Sequence, residues 1–107
     1  GLEELSLPML AVGATGLMNA VANVLPTEIA QLYDHVAAGD LAAAREQHDW
    51  LLEINQAVFW DTNPIPIKYM MKRMGLLPAN EHRLPMMSAT PELEARLDAL
   101  LVRMGVR

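Results

Sequence analysis

The chain contains no cysteine in its 107 residues. This excludes a disulfide framework, a thiolate metal site and a cysteine nucleophile, and it suits a reducing, cytoplasmic setting. Aromatic residues make up only 5%, so aliphatic side chains and eight methionines must fill the core. Basic residues are in the minority, 8 against 13 acidic, for a formal net charge of -5. Such a chain has no electrostatic reason to approach a phosphate backbone, and nucleic acid is not expected as a partner. Long hydrophobic runs are missing as well: Asn19, Asn23 and Glu28 interrupt the apolar stretches before they reach the ~18 residues of a membrane span. The start, Gly1-Leu2-Glu3-Glu4, is acidic where a signal peptide would be basic.

What is present is a globular composition, 52% hydrophobic and 20% charged, of the length of one ordinary domain. Leu5, Leu7, Met9, Leu10 and Val12 make a short helix, with Pro8 where it could begin or bend. Gly13 and Gly16 bracket a turn, and Leu17, Met18, Ala20, Val21 and Ala22 then form an apolar run suited to a buried parallel strand, although periodicity does not distinguish it from a buried helix. Ile29, Leu32, Tyr33 and Val36 recur at helical spacing behind Pro26 and Thr27, with Thr27 able to cap and Gly39 to stop. Asp40 can cap a longer helix from Leu41 to about Trp60, with Leu41, Ala44, Leu51, Leu52, Ile54, Val58 and Phe59 facing inward. The short link between the two helices predicts an antiparallel hairpin.

Asn63-Pro64 predicts an extended step, since proline disfavours helical geometry in the residue before it. Pro66 suits the first turn of a helix to about Met74, closed by Gly75. Leu76 to Ala89 reads as loop. Thr90-Pro91-Glu92 is a helix start with a capping hydroxyl, and Leu93, Leu97, Leu100, Leu101 and Met104 form the stripe of the last helix before Gly105.

Three motifs occur in order: Gly13-Ala14-Thr15-Gly16-Leu17-Met18-Asn19-Ala20-Val21-Ala22-Asn23-Val24, then Asn63-Pro64-Ile65-Pro66-Ile67-Lys68, then Arg83-Leu84-Pro85-Met86. Together they resemble the closing part of the dihydrodipicolinate synthase / N-acetylneuraminate lyase family. Its members are pyruvate-dependent Schiff-base lyases built on an eight-stranded (β/α) barrel, an α/β TIM barrel. The resemblance implies that residues 3 to 13 are the seventh barrel helix, 15 to 23 the eighth strand and 27 to 38 the helix that closes the barrel. Residues 1–38 would thus end the barrel, and 39–107 would be the carboxy-terminal helical extension. The isolated chain would be mainly helical, with at most one short strand.

The family's imine-forming lysine, its proton-relaying tyrosine and the turn that holds the pyruvate carboxylate all belong to earlier strands. The resemblance therefore implies no catalytic residue here and no cofactor, and a chain inactive alone. Gly1 and Met18 match positions lining the substrate pocket. Asn19 departs from the family's usual serine, and Glu3 stands where aspartate is common. Pyruvate and an aldehyde would be substrates of the full-length enzyme. The chain itself is expected to self-associate or to pair with the amino-terminal barrel portion; full-length members of the family are commonly tetramers, and the part their seventh helix takes in the weaker interface implies Pro8, Leu10, Ala11 and Val12 as a contact patch. Alternatives are part of a related sugar-acid aldolase or hydratase-aldolase, and a stand-alone, non-catalytic helical interaction module.

Other chemistry is weaker. Lys68 is the tempting imine former, but it follows a proline-initiated helix start and has Lys72 four residues on, so a solvated surface lysine is expected. The basic group Lys68, Lys72 and Arg73, with Arg83 nearby, reads as the solvated side and end of one helix. Tyr33 and Tyr69 sit on helix stripes as packed rings. His35, His48 and His82, beside Asp34, Asp49 and Glu81, lack the spacing to share a metal ion, which leaves surface histidines. Gly13-Ala14-Thr15-Gly16 lacks the lysine and third glycine of phosphate loops and reads as a tight turn. Met70, Met71 and Met74 read as core packing.

Overall fold

The computed structural model describes residues 1–106. Helix α1 (Ser6–Ala11) follows a 3-10 turn at Glu3–Leu5, and a second such turn lies at Val21–Asn23. Then come α2 (Pro26–Ala37), α3 (Leu41–Ala57), α4 (Ile65–Arg73) and α5 (Pro91–Met104). The chain forms two compact units, Gly1–Gln56 and a second beginning at Ala57.

The helix boundaries follow local chemistry. Asp40 Oδ1 accepts from the Ala43 N–H at 3.0 Å and caps α3. Thr90 Oγ1 accepts from the Leu93 N–H at 3.2 Å and caps α5, with Pro91 in its first turn. Helices α2 and α4 end alike. Gly39 and Gly75 take φ of 77° and 76°, which brings the Asp40 N–H to the His35 carbonyl and the Leu76 N–H to the Met71 carbonyl. At α2 the expected Thr27 cap does not form, because Pro26 already stands in the first turn and Thr27 lies inside the helix.

In the first unit α1 packs on α2, which also meets the second 3-10 turn. Val21, Val24, Leu25, Ile29, Leu32, Ala44, Leu51 and Ile54 are buried there. In the second, α4 packs on α5, with Ile65, Ile67, Met70, Leu93, Leu97 and Leu100 inside. Met70 is fully buried, whereas Met71 and Met74 are half-buried.

Four expectations need correction. Residues 15 to 23 form no strand: Ala14–Asn19 is irregular and the rest winds into the 3-10 turn. A parallel strand is stabilised by neighbours, and no strand exists among the described residues to pair with it. Leu41, Leu52 and Phe59 are exposed instead of inward. Leu52 is rotated by one helical step from buried Leu51, and Phe59 lies beyond the end of α3. The step at Asn63-Pro64 is a four-residue turn, with that peptide cis and the Ile65 N–H donating to the Thr62 carbonyl at 2.9 Å. Leu10 is buried and drops out of the contact patch; Met9 is exposed in its place.

Candidate functional site

One cleft on each unit gathers residues that the sequence singled out. In the first unit, Gly1, Leu2, Leu5, Ser6, Met9, Ala14, Gly16, Leu17 and Met18 surround a cleft of about 280 Å³. Gly1 and Met18, the two positions expected to line a pocket, therefore share a concave surface, though 17 residues separate them in sequence. The turn after α1 makes this possible, because Gly13 at φ 106° reverses the chain and the Ala14 N–H returns to the Met9 carbonyl at 2.9 Å. The glycine turn therefore closes a helix and precedes no strand.

The same unit holds a buried polar cluster that the sequence did not announce. Glu3 is 5% exposed, and its Oε1 accepts from the Ala20 N–H at 2.6 Å. That bond fixes the irregular segment to the start of the chain. Asn55, also buried, donates from Nδ2 to the Glu3 carbonyl at 3.4 Å, tying α3 to the same place. Glu3 Oε2, Asn19 Nδ2 and Asn55 Oδ1 are buried without a hydrogen-bond partner. Charge alone marks Glu3 as a surface residue; the signal available was its place beside apolar Leu2 and Leu5.

In the second unit the two proline motifs come together. Pro64, Lys68, Glu81, His82, Arg83 and Met86 line a cleft of about 530 Å³. The turn at Arg83–Met86 repeats the one before α4: Leu84–Pro85 is cis and the Met86 N–H donates to the Arg83 carbonyl at 3.0 Å. Lys68 is half-buried and donates from Nζ to the Glu81 carbonyl. The expected solvated lysine is thus a tether between α4 and the loop, which folds back over a distance in sequence that helix spacing does not reveal. His82 is half-buried beside Asn80, with 2.9 Å between Nε2 and Asn80 Oδ1. Burial, and then the charge of Lys68, lower its pKa.

On the neighbouring face of α4, Tyr69 and Arg73 lie one turn apart and converge on Asp98 of α5. Tyr69 donates its hydroxyl to Asp98 Oδ1 at 3.1 Å, and Arg73 donates from Nε to the same oxygen at 2.7 Å. Burial, followed by the Asp98 hydrogen bond and charge, pushes the Tyr69 pKa up to about 12. The hydrogen bond from Arg73 and the charge of Asp98 hold the guanidinium above its ordinary range. Lys72 and Arg73 are exposed in the last turn of α4, as expected of the solvated end of a helix, and Arg73 is in addition paired with Asp98. Arg96 of α5 stacks 3.4 Å from the centroid of the Trp60 ring. Tyr69 is the packed ring expected, while Tyr33 is exposed. The three histidines are half-buried, and among the described residues no three His, Asp or Glu side chains group to hold a metal ion. No helix among those residues is long and apolar enough to cross a membrane.

The profile of the dihydrodipicolinate synthetase family matches residues 1–104. The 4-hydroxy-tetrahydrodipicolinate synthase of Thermus thermophilus is 51% identical over 106 residues, 99% of this chain and 35% of that protein. The Hydrogenobaculum enzyme of the same name is 39% identical over 101 residues, 94% of this chain and 34% of its own length. The crystal structure of dihydrodipicolinate synthase from Aquifex aeolicus superposes with a TM-score of 0.95 at 36% identity, over 99% of this chain and 36% of that one. The Thermotoga maritima enzyme gives 0.94 at 32%, over 98% and 35%. The chain spans about a third of the length of the relatives it matches.

Proposed function

Since this chain belongs to the dihydrodipicolinate synthetase family, we propose that it serves as the carboxy-terminal third of a pyruvate-dependent Schiff-base lyase. In that assembly it completes and braces a TIM barrel while the rest of the enzyme supplies the imine-forming lysine and the proton-relaying tyrosine. Residues 1–38 end the barrel and 39–107 form the helical extension. Gly1 and Met18 line the substrate pocket, and the full enzyme joins pyruvate to an aldehyde, in the cytoplasm and as an oligomer.

The observation that carries this reading is the backbone of residues 15–19. Among the described residues, none of their N–H or carbonyl groups makes a backbone hydrogen bond, and Met18 is 87% exposed. A stretch of free donors and acceptors beside apolar side chains is what a strand offers before its neighbours arrive. Leu2, Leu5, Met9 and Val12 are exposed on the same unit, an apolar surface that assembly would cover.

Incubation with pyruvate and borohydride, followed by intact-mass measurement, tests the division of labour. The chain alone should gain no adduct. Mixed with the amino-terminal two thirds of the Thermus relative, it should restore condensation, with the reduced adduct on the added portion. A pyruvate adduct on Lys68, or failure of the mixture to turn over, would contradict the proposal.

A further inference from the structure

The second unit's cleft has no part in the role just described, yet it gathers charge in an unusual way. The chain is acidic overall, at -5, but Lys68 and Arg83 both face one concavity. Among the described residues neither has a carboxylate within ion-pair distance, whereas Arg73 pairs with Asp98. Glu81 contributes its main-chain carbonyl to Lys68, and its side chain is exposed. With two cations against one solvated carboxylate, the cleft keeps an uncompensated positive charge.

One of its donors is held in place and the other is free. One N–H of the Lys68 ammonium is committed to the Glu81 carbonyl, which orients the group and leaves two for a ligand. Arg83 makes no side-chain hydrogen bond among the described residues, so its planar fork is available for bidentate recognition. His82 borders the space between them. At about 530 Å³ the cleft falls within the range of small-molecule sites, roughly 300–1,000 Å³, and exceeds what a monatomic ion needs.

We propose that this cleft binds a small organic anion, through Lys68 and Arg83 acting together on its carboxylate or phosphate group. The site is distinct from the Gly1 and Met18 cleft and takes no part in bond making. Nuclear magnetic resonance of the labelled chain tests it by titration with succinate, with inorganic phosphate and with succinamide as neutral isostere, at constant ionic strength. Succinate or phosphate should move the Lys68, His82 and Arg83 signals saturably, and succinamide should not. Saturation by one anion alone identifies that chemistry as the ligand's. Arg83→Gln should weaken binding about tenfold, the loss of one charged hydrogen-bonding group, with the helical circular dichroism unchanged. Lys68→Gln should weaken it similarly. Linear, non-saturating shifts with both anions would overturn the proposal, as would saturable shifts that neither variant alters.

Discussion

The two units of this chain differ in how completely each satisfies itself. Among the described residues, the four buried side-chain atoms without a hydrogen-bond partner, Glu3 Oε2, Asn19 Nδ2, His48 Nδ1 and Asn55 Oδ1, all belong to the unit Gly1–Gln56. That unit also exposes Leu2, Leu5, Met9, Val12 and Met18 within its first 18 residues. The second unit instead meets its polar needs internally: Asp98 receives both Tyr69 and Arg73, Thr90 caps α5, and Lys68 holds the Glu81 carbonyl. Buried polar groups are normally paired and large apolar patches normally covered. The second unit exposes apolar side chains too, Phe59, Leu76, Leu84, Met87 and Val102, so the contrast lies in the unpartnered buried polar atoms, and it supports the proposal that the first unit receives further protein.

This contrast can be broken most forcefully in the cores. Leu97→Ala removes a side chain with no exposure and should cost the second unit about 2–5 kcal/mol, read by urea unfolding. Met18→Ala, at a side chain 87% exposed in the other unit, should change the stability of the isolated chain by less than about 0.5 kcal/mol. Its effect should appear on assembly. A Met18→Ala loss as large as that of Leu97→Ala would erase the distinction.

Glu3→Ala comes next. It strips the Ala20 N–H of its acceptor and should destabilise the first unit by about 1–3 kcal/mol, with amide exchange accelerating at Ala20 while α5 stays protected. Equal loosening of both units would show that they do not differ in the way described.

Much of the second unit was legible beforehand. Thr90-Pro91-Glu92, Pro66 and Gly75 each act through local backbone chemistry, so their positions predict the ends of α4 and α5. Asp40 and Gly39 act in the same way between α2 and α3. The shortfalls are non-local. Residues 15 to 23 have the composition of a strand, but strand structure depends on a neighbour. Gly1 and Met18 were placed by resemblance, and the chain does bring them to one cleft. The burial of Glu3 depends on Ala20 and Asn55, 17 and 52 residues away. Asp98 could not be matched to Tyr69 and Arg73 without knowing how α4 meets α5, and the Lys68 tether likewise needed the loop's return path.

A smaller effect concerns Tyr69. Its pKa in the folded chain is about 12 against an ordinary 10.0. The folded state therefore holds this proton more tightly than the unfolded state. The associated stabilisation is complete below pH 10 and fades as pH rises through about 12. Absorbance titration should show one tyrosine ionising near 12, and Tyr69→Phe should abolish that step. Smallest of all is Thr90→Ala, expected to cost about 1 kcal/mol through loss of the α5 cap.

The claim that the first unit is shaped for completion is tested most directly by hydrogen exchange with mass spectrometry, on the chain alone and mixed with the amino-terminal two thirds of the Thermus relative. The amides of residues 15–19, which make no backbone hydrogen bond, should exchange fast alone and gain strong protection in the mixture, while those of α5 remain as they were. Full protection of residues 14–20 in the isolated chain, or no gain on mixing, would contradict it.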